Sequence, residues 1–98
     1  MLIRSQDKKN LIELQNTTLC IGQYPMYDSN TSISYCFNIE THDFVLGRYS
    51  SEEKVMKVLD MIEKEYSEPT YISKYNDNEY AKYEHKVFHM PADDKVKV

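Results

Sequence analysis

The chain of 98 residues predicts an α+β fold, an antiparallel sheet of about four to five strands in a meander with one main α-helix packed on a face. Two observations carry this. Short runs alternating apolar and polar residues fill the first half and return near the end. Apolar residues recur at three- and four-residue intervals in one stretch only, between Ser51 and Tyr66.

The elements follow in chain order. Leu2-Ile3 and Leu11-Ile12-Glu13-Leu14 flank the polar segment Asp7-Lys8-Lys9-Asn10, which reads as the turn of a first hairpin. Thr17–Ile21 and Ile33–Ile39 read as strands, the second with Ile33, Tyr35, Phe37 and Ile39 on one face. A symmetric register between these two sets Cys20 roughly opposite Cys36, where oxidation could join them. Between them, Gln23–Thr31, with Pro25 and Asp28-Ser29-Asn30, reads as a long exposed connection. Glu40–Asp43 is a second turn, and Phe44-Val45-Leu46 begins a strand closing at Gly47.

Ser50 followed by Glu53 fits a capping box and starts the helix near Ser51. Val55, Val58, Leu59, Ile62 and Tyr66 form its apolar stripe, and Pro69 ends it. Thr70–Tyr83 is polar, rich in tyrosine and of ambiguous period, an irregular excursion. Tyr83, His85, Val87 and His89 alternate with Glu84, Lys86, Phe88 and Met90 toward a last strand stopped by Pro91. Residues 1–98 then make a single domain, with a core over about 1–91 and a flexible tail over 92–98.

Composition narrows the function classes. At 41% hydrophobic and 29% charged the chain is polar but not depleted enough for general disorder. No apolar run reaches the ~18–20 residues of a membrane span and no secretory signal is visible, so a cytoplasmic protein without membrane contact is expected. A formal charge of −4 argues against binding along a phosphate backbone. Two glycines leave no G-x-G-x-x-G and no Walker-type loop, and two cysteines form neither a disulfide scaffold nor a paired zinc motif. His85 and His89, four apart on a strand, stand roughly 13 Å from each other, too far to share an ion. Neither thiol sits in a glycine-supported turn. The expectation is a protein that is not an enzyme and carries no metal or cofactor.

Nine tyrosines against three phenylalanines and no tryptophan suggest a recognition surface, with Tyr24, Tyr27, Tyr71, Tyr75 and Tyr80 as its members, or simply tyrosine used as filler. Of the basic residues only Arg4 and Arg48 are arginines, whose forked guanidinium suits bidentate recognition of carboxylate or phosphate. Both sit at ends of expected strands, where a meander could bring them to one edge; the alternative is that each pairs with a neighbouring acid. Glu52, Glu53 and Asp77 either solubilise the surface or form an acidic patch.

Three segments resemble a loose group of small proteins of phages, prophages and chromosomes of Gram-positive bacteria. They are Ile3-Arg4-Ser5-Gln6-Asp7-Lys8-Lys9, Leu46-Gly47-Arg48-Tyr49-Ser50-Ser51-Glu52-Glu53 leading into Val55-Met56-Lys57-Val58-Leu59, and Val87-Phe88-His89-Met90-Pro91. The resemblance covers about a third of the chain and omits Tyr24–Thr31 and Thr70–Tyr83. It implies an accessory protein of a mobile element, acting inside a bacterial host cell by binding a host component, and it names no target. Two functions of different class follow. One is an inhibitor that binds a host defence effector or nuclease through an acidic, tyrosine-rich surface, occupying a basic groove by charge complementarity. The other is a sponge, which could be a homo-oligomer, that sequesters an anionic signalling nucleotide, with Arg4 and Arg48 on phosphate and tyrosines on the base.

Overall fold

A serine with two partners starts the molecule. Ser5 is fully buried; its hydroxyl donates to the Asp7 carboxylate at 2.6 Å and accepts the Asn10 N–H at 3.0 Å, while Asp7 also accepts the Lys9 N–H at 2.9 Å. With Lys8 in the left-handed region at φ 68°, these bonds reverse the chain between β1 (Leu2–Arg4) and β2 (Leu11–Glu13), which pair antiparallel. The same bonds, the Ser5 hydroxyl first, hold the Asp7 carboxyl below its ordinary range. The computed structural model describes residues 1–27, 33–68, 71–75, 78–82 and 86–98, with residues 33, 71–75 and 80–82 described by backbone alone.

Strands β3 (Cys20–Tyr27), β4 (Ile33–Glu40) and β5 (Val45–Tyr49) form an antiparallel sheet in that order. Strand β3 runs on through Gln23–Tyr27, where an exposed connection is expected from sequence. Pro25 is admitted because β3 is an edge strand, where a missing N–H is tolerated. The register also corrects the cysteines. Cys20 lies opposite Glu40 and Cys36 opposite Tyr24, so the thiols are four positions out of step, roughly 13 Å along the sheet and beyond disulfide reach.

Between β4 and β5 the register shifts, with Ile39 opposite Gly47 and Glu40 opposite Val45. The extra residue, Leu46, turns into the core at 1% exposure, and its carbonyl accepts the Gln6 N–H at 2.7 Å.

Helix α1 (Glu52–Ser67) is capped by Ser51, whose hydroxyl accepts the Lys54 N–H at 3.2 Å. The cap is therefore Ser51, and Ser50 serves elsewhere: its N–H and hydroxyl both donate to Asp93. Glu52 and Glu53 lie at the positive end of the helix dipole. Val55, Val58 and Ile62 are buried against the sheets, and Leu59 packs beside them. After the helix, β6 (Tyr71–Tyr75) and β7 (Asn78–Lys82) form a hairpin within the stretch expected to be irregular, polar strands with no apolar period to announce them.

The last strand, β8 (Val87–His89), departs from the meander. It enters beside β1 in the parallel sense, giving a second three-stranded sheet ordered β2-β1-β8. Leu2 donates its N–H to Lys86 and Met90 its N–H to Arg4. Ile3 and Phe88 are neighbours in register, and both are buried. With β2 on one side of β1, its remaining edge is the place where Phe88 reaches the core.

The end of the chain is docked where sequence suggests a flexible tail. Asp93 begins a short 3₁₀ turn (Asp93–Lys95) and accepts two bonds from Ser50, while the Lys54 ammonium donates to its carbonyl at 2.9 Å. Val96, 5% exposed, belongs to the core with Ile3, Ile39, Leu46, Tyr49, Met90 and the helix residues. Three charged residues before Val96, Asp93, Asp94 and Lys95, and Lys97 after it hide this docking from a hydrophobicity reading. The molecule is long, 68 × 28 × 19 Å with a radius of gyration of 16.8 Å, against about 13 Å for a compact domain of about this length. Among the described residues no helix is long and apolar enough to cross a membrane.

Candidate functional site

The β3–β4 hairpin carries five exposed large hydrophobic side chains, Ile21, Tyr24, Met26, Tyr27 and Tyr35. Residues opposite each other in an antiparallel pair share a face, so one face carries Ile21, Gln23, Pro25 and Tyr27 with Ile39, Phe37 and Tyr35. Along β4 that face leaves the core: Ile39 is fully buried, Phe37 partly buried and Tyr35 49% exposed. Beyond Phe37 the hairpin is an arm whose Pro25, Tyr27 and Tyr35 are exposed, Tyr27 at 77%. Its opposite face adds Tyr24 and Met26.

Tyr24 is held flat. Its ring lies over Gly22, where an added Cβ would come within 2.5 Å of both the ring and the Glu40 carboxylate. Its hydroxyl donates to Glu40 Oε1 at 2.7 Å. That bond, more than desolvation or charge, raises the Tyr24 phenol above its ordinary ionisation range. Glycine here is a matter of space, not of backbone conformation.

Arg48, on β5 opposite Asn38, shares this outer face, and its Nε donates to Asn38 Oδ1 at 3.3 Å. Asn38 in turn lies opposite Gly22, so Tyr24, Asn38 and Arg48 form a row across the sheet. Arg4 is not part of it. It stands on β1 in the other sheet, and its Nη1 donates to the Lys8 carbonyl at 3.1 Å. Neither arginine forms an ion pair with an acid among the described residues; both bonds end on neutral oxygens. The two sheets meet at Gln6, whose amide accepts the Arg48 N–H at 3.0 Å and donates to the Arg48 carbonyl at 3.2 Å, so one side chain takes the place of a strand beside β5.

Glu52 and Glu53 are exposed in the first turn of α1, whereas Tyr24 and Tyr27 stand on β3. Asp77 lies outside the described residues, and Tyr71, Tyr75 and Tyr80 are placed by backbone only, on β6 and β7. Sequence reasoning misses Pro25, Met26 and Tyr35. A signal for them exists: across residues 14–39 the only charged side chain is Asp28, in a chain that is 29% charged. This charge-poor stretch covers the approach to β3, β3 itself and β4 as far as Ile39.

Other chemistry is sparse. A cavity of about 510 Å³ beside β3 is lined by Cys20, Thr17, Thr41, His42 and Phe44 among others, but the His42 side chain is 98% exposed and its Nδ1 faces Asp43 at 3.1 Å. Cys36 is buried. No group of three or more His, Cys, Asp or Glu could hold a metal ion among the described residues.

The three segments that carry the resemblance meet in space. The Pro91 carbonyl accepts from Tyr49 Oη at 2.8 Å and from Gln6 Nε2 at 3.1 Å. Gly47 lies where a Cβ would meet the Tyr49 ring and the Met90 methyl at 2.8 and 3.0 Å. Burial raises the Tyr49 phenol well above its ordinary range. Ser5, Gln6, Gly47, Tyr49, Met90 and Pro91 thus act as a structural joint, and the exposed arm lies outside it. Comparison with protein-family models, with curated proteins and with solved structures finds no match for the chain.

Proposed function

We propose that this chain is a small phage- or mobile-element-type accessory protein that acts by binding, an inhibitor of a host defence or nucleic-acid-processing protein in the bacterial cytoplasm. One observation carries the binding role: the hairpin strands, with no charged side chain in Cys20–Tyr27 or across residues 34–39, present Tyr24, Met26, Tyr27 and Tyr35 to solvent. Tyrosine and methionine concentrate at recognition surfaces because they offer large contact area at low entropic cost. The exposed acids of α1, Glu52, Glu53, Asp60 and Glu63, add charge that steers a basic partner toward the molecule. The inhibitory role rests on the resemblance and on the absence of any recognisable catalytic constellation in the sequence.

The test is capture of partners by the tagged chain from a Gram-positive host lysate, beside the double variant Tyr27→Ser/Tyr35→Ser. Loss of a specific partner in the variant, with an unchanged melting curve, supports the arm. Equal capture by both proteins overturns it, and a partner whose activity is unaffected by binding overturns inhibition.

The sponge reading has one observation in its favour, Tyr24 and Arg48 on a common face. The Glu40 carboxylate bonded to Tyr24 opposes it, because it places negative charge where a phosphate would approach. A thermal-shift screen of linear and cyclic nucleotides separates the two: a rise abolished by Arg48→Ala favours the sponge.

A further inference from the structure

A hollow of about 390 Å³ lies where the β1–β2 turn meets β5, walled by Gln6, Asp7, Val45, Leu46, Gly47 and Arg48. Its walls carry two opposite charges, each held by neutral groups. The Ser5 hydroxyl and the Lys9 N–H both donate to Asp7 Oδ1, which leaves Oδ2 free to accept. Arg48 is steadied through Nε on Asn38 Oδ1, which leaves both Nη groups of its fork free to donate. No ion pair joins Asp7 to Arg48 among the described residues. Gln6, between them, commits its amide to the Arg48 backbone and the Pro91 carbonyl and so serves as wall. Val45, 43% exposed, gives the hollow an apolar side. Glu40, opposite Val45 in register, turns its carboxylate to the Tyr24 hydroxyl.

Charge narrows what such a hollow accepts. The bonds from Ser5 and Lys9 keep Asp7 ionised by holding its carboxyl below the usual range, so a phosphate or carboxylate arriving alone is opposed. Arg48 opposes a simple cation in the same way. A molecule that carries an ammonium and a carboxylate together answers both walls. Lys8 and Lys9 follow Asp7 in the turn, are exposed, and do not line the hollow.

We propose that this hollow binds a small zwitterion of the α-amino-acid class, its ammonium on Asp7 Oδ2, its carboxylate on the Arg48 fork and an aliphatic side chain against Val45. The fork suits a carboxylate because its paired N–H groups match the two oxygens. The volume falls at the small end of the roughly 300–1,000 Å³ usual for small-molecule sites, as a ligand of this size requires. The inference is independent of the arm, with which the hollow shares no residue, and of the nucleotide reading, because an anionic nucleotide brings no ammonium for Asp7.

Titration of the isotope-labelled intact chain with L-leucine, followed by amide NMR shifts, tests it. Saturable shifts are expected at Gln6, Asp7 and Val45–Arg48. Leucinamide, which lacks the carboxylate, and N-acetyl-leucine, which lacks the ammonium, should each bind roughly tenfold or more weakly, the loss of one charge-assisted bond. Two variants each remove one charge. Asp7→Asn retains an Oδ1 acceptor for Ser5 and Lys9, and should bind leucine no better than N-acetyl-leucine. Arg48→Gln should bind leucine no better than leucinamide. Absence of a saturable shift at any soluble leucine concentration overturns the proposal. Equal binding of leucine and both blocked compounds to the parent chain also overturns it, and that comparison needs no variant to fold.

Discussion

Val96→Ala distinguishes a docked C-terminal segment from a flexible one. Val96 is 5% exposed among core residues. Deleting its two methyl groups removes apolar area worth about 0.8 kcal/mol per carbon and leaves a small void, together about 1.5–2.5 kcal/mol. For a domain of this size each kcal/mol moves the melting temperature by about 4–8 °C, so the variant should melt roughly 6–20 °C lower. Val98→Ala is the internal control: at 69% exposure it should change stability by less than about 0.5 kcal/mol. Thermal melts followed by circular dichroism, with urea unfolding to supply the free energy, decide the matter. If Val96→Ala and Val98→Ala both melt within about 2 °C of the parent, at most half the shift that a single kcal/mol produces, the docking argument is wrong.

Tyr49→Phe removes the bond to the Pro91 carbonyl while Gln6 continues to satisfy that oxygen, so the loss should be modest, about 1 kcal/mol in urea unfolding. Asp93 accepts from the Ser50 N–H and hydroxyl and lies near Lys54, which holds its carboxyl below the ordinary range, the backbone bond contributing most. A depressed carboxylate stabilises above its unfolded value near 3.8 and loses that contribution as pH falls through the folded one. Asp93→Asn should therefore be less stable than the parent at neutral pH, with the gap closing below pH ~4 in melts at matched ionic strength. Glu40→Gln should lower the ionisation midpoint of Tyr24 toward its ordinary value, seen as an earlier phenolate absorbance rise in an alkaline titration. Gly22→Ala, by displacing the ring from Glu40, should shift it the same way.

What could be read from sequence follows periodicity. The helix with its Val55, Val58 and Ile62 stripe, the first hairpin and the β4 alternation are visible because burial on one side imposes a period. Strand β3 is obscured past Ile21 because its own side chains are exposed on both faces, leaving proline and polar residues to suggest a loop. The parallel entry of β8 is invisible for a different reason: nothing local in Val87-Phe88-His89 specifies which strand, or which direction, it will join. At the site, Tyr24, Tyr27 and Arg48 are legible by residue type, whereas the separation of Arg4 onto the other sheet depends on the Gln6 crossing. The capping residue is misplaced by one because Ser50 and Ser51 are both competent, and only Asp93, distant in sequence, claims the first.

The pairing of β1 with β8 carries a kinetic consequence. Leu2 and Val87 are adjacent in the sheet but separated by nearly the whole chain, so this contact has the highest loop-closure cost of any strand pairing among the described residues. Hairpins β1–β2, β3–β4 and β4–β5 and helix α1 close over short loops and can form first, whereas Phe88, Met90 and Val96 fill the core only after the last residues arrive. On the ribosome the chain should accordingly pass through a stage in which Ile3 and the helix stripe are solvated while β3 already exposes a formed edge. Aggregation during synthesis, where it occurs, should depend on that edge, and a charge at Gln23 should suppress it without altering the finished fold.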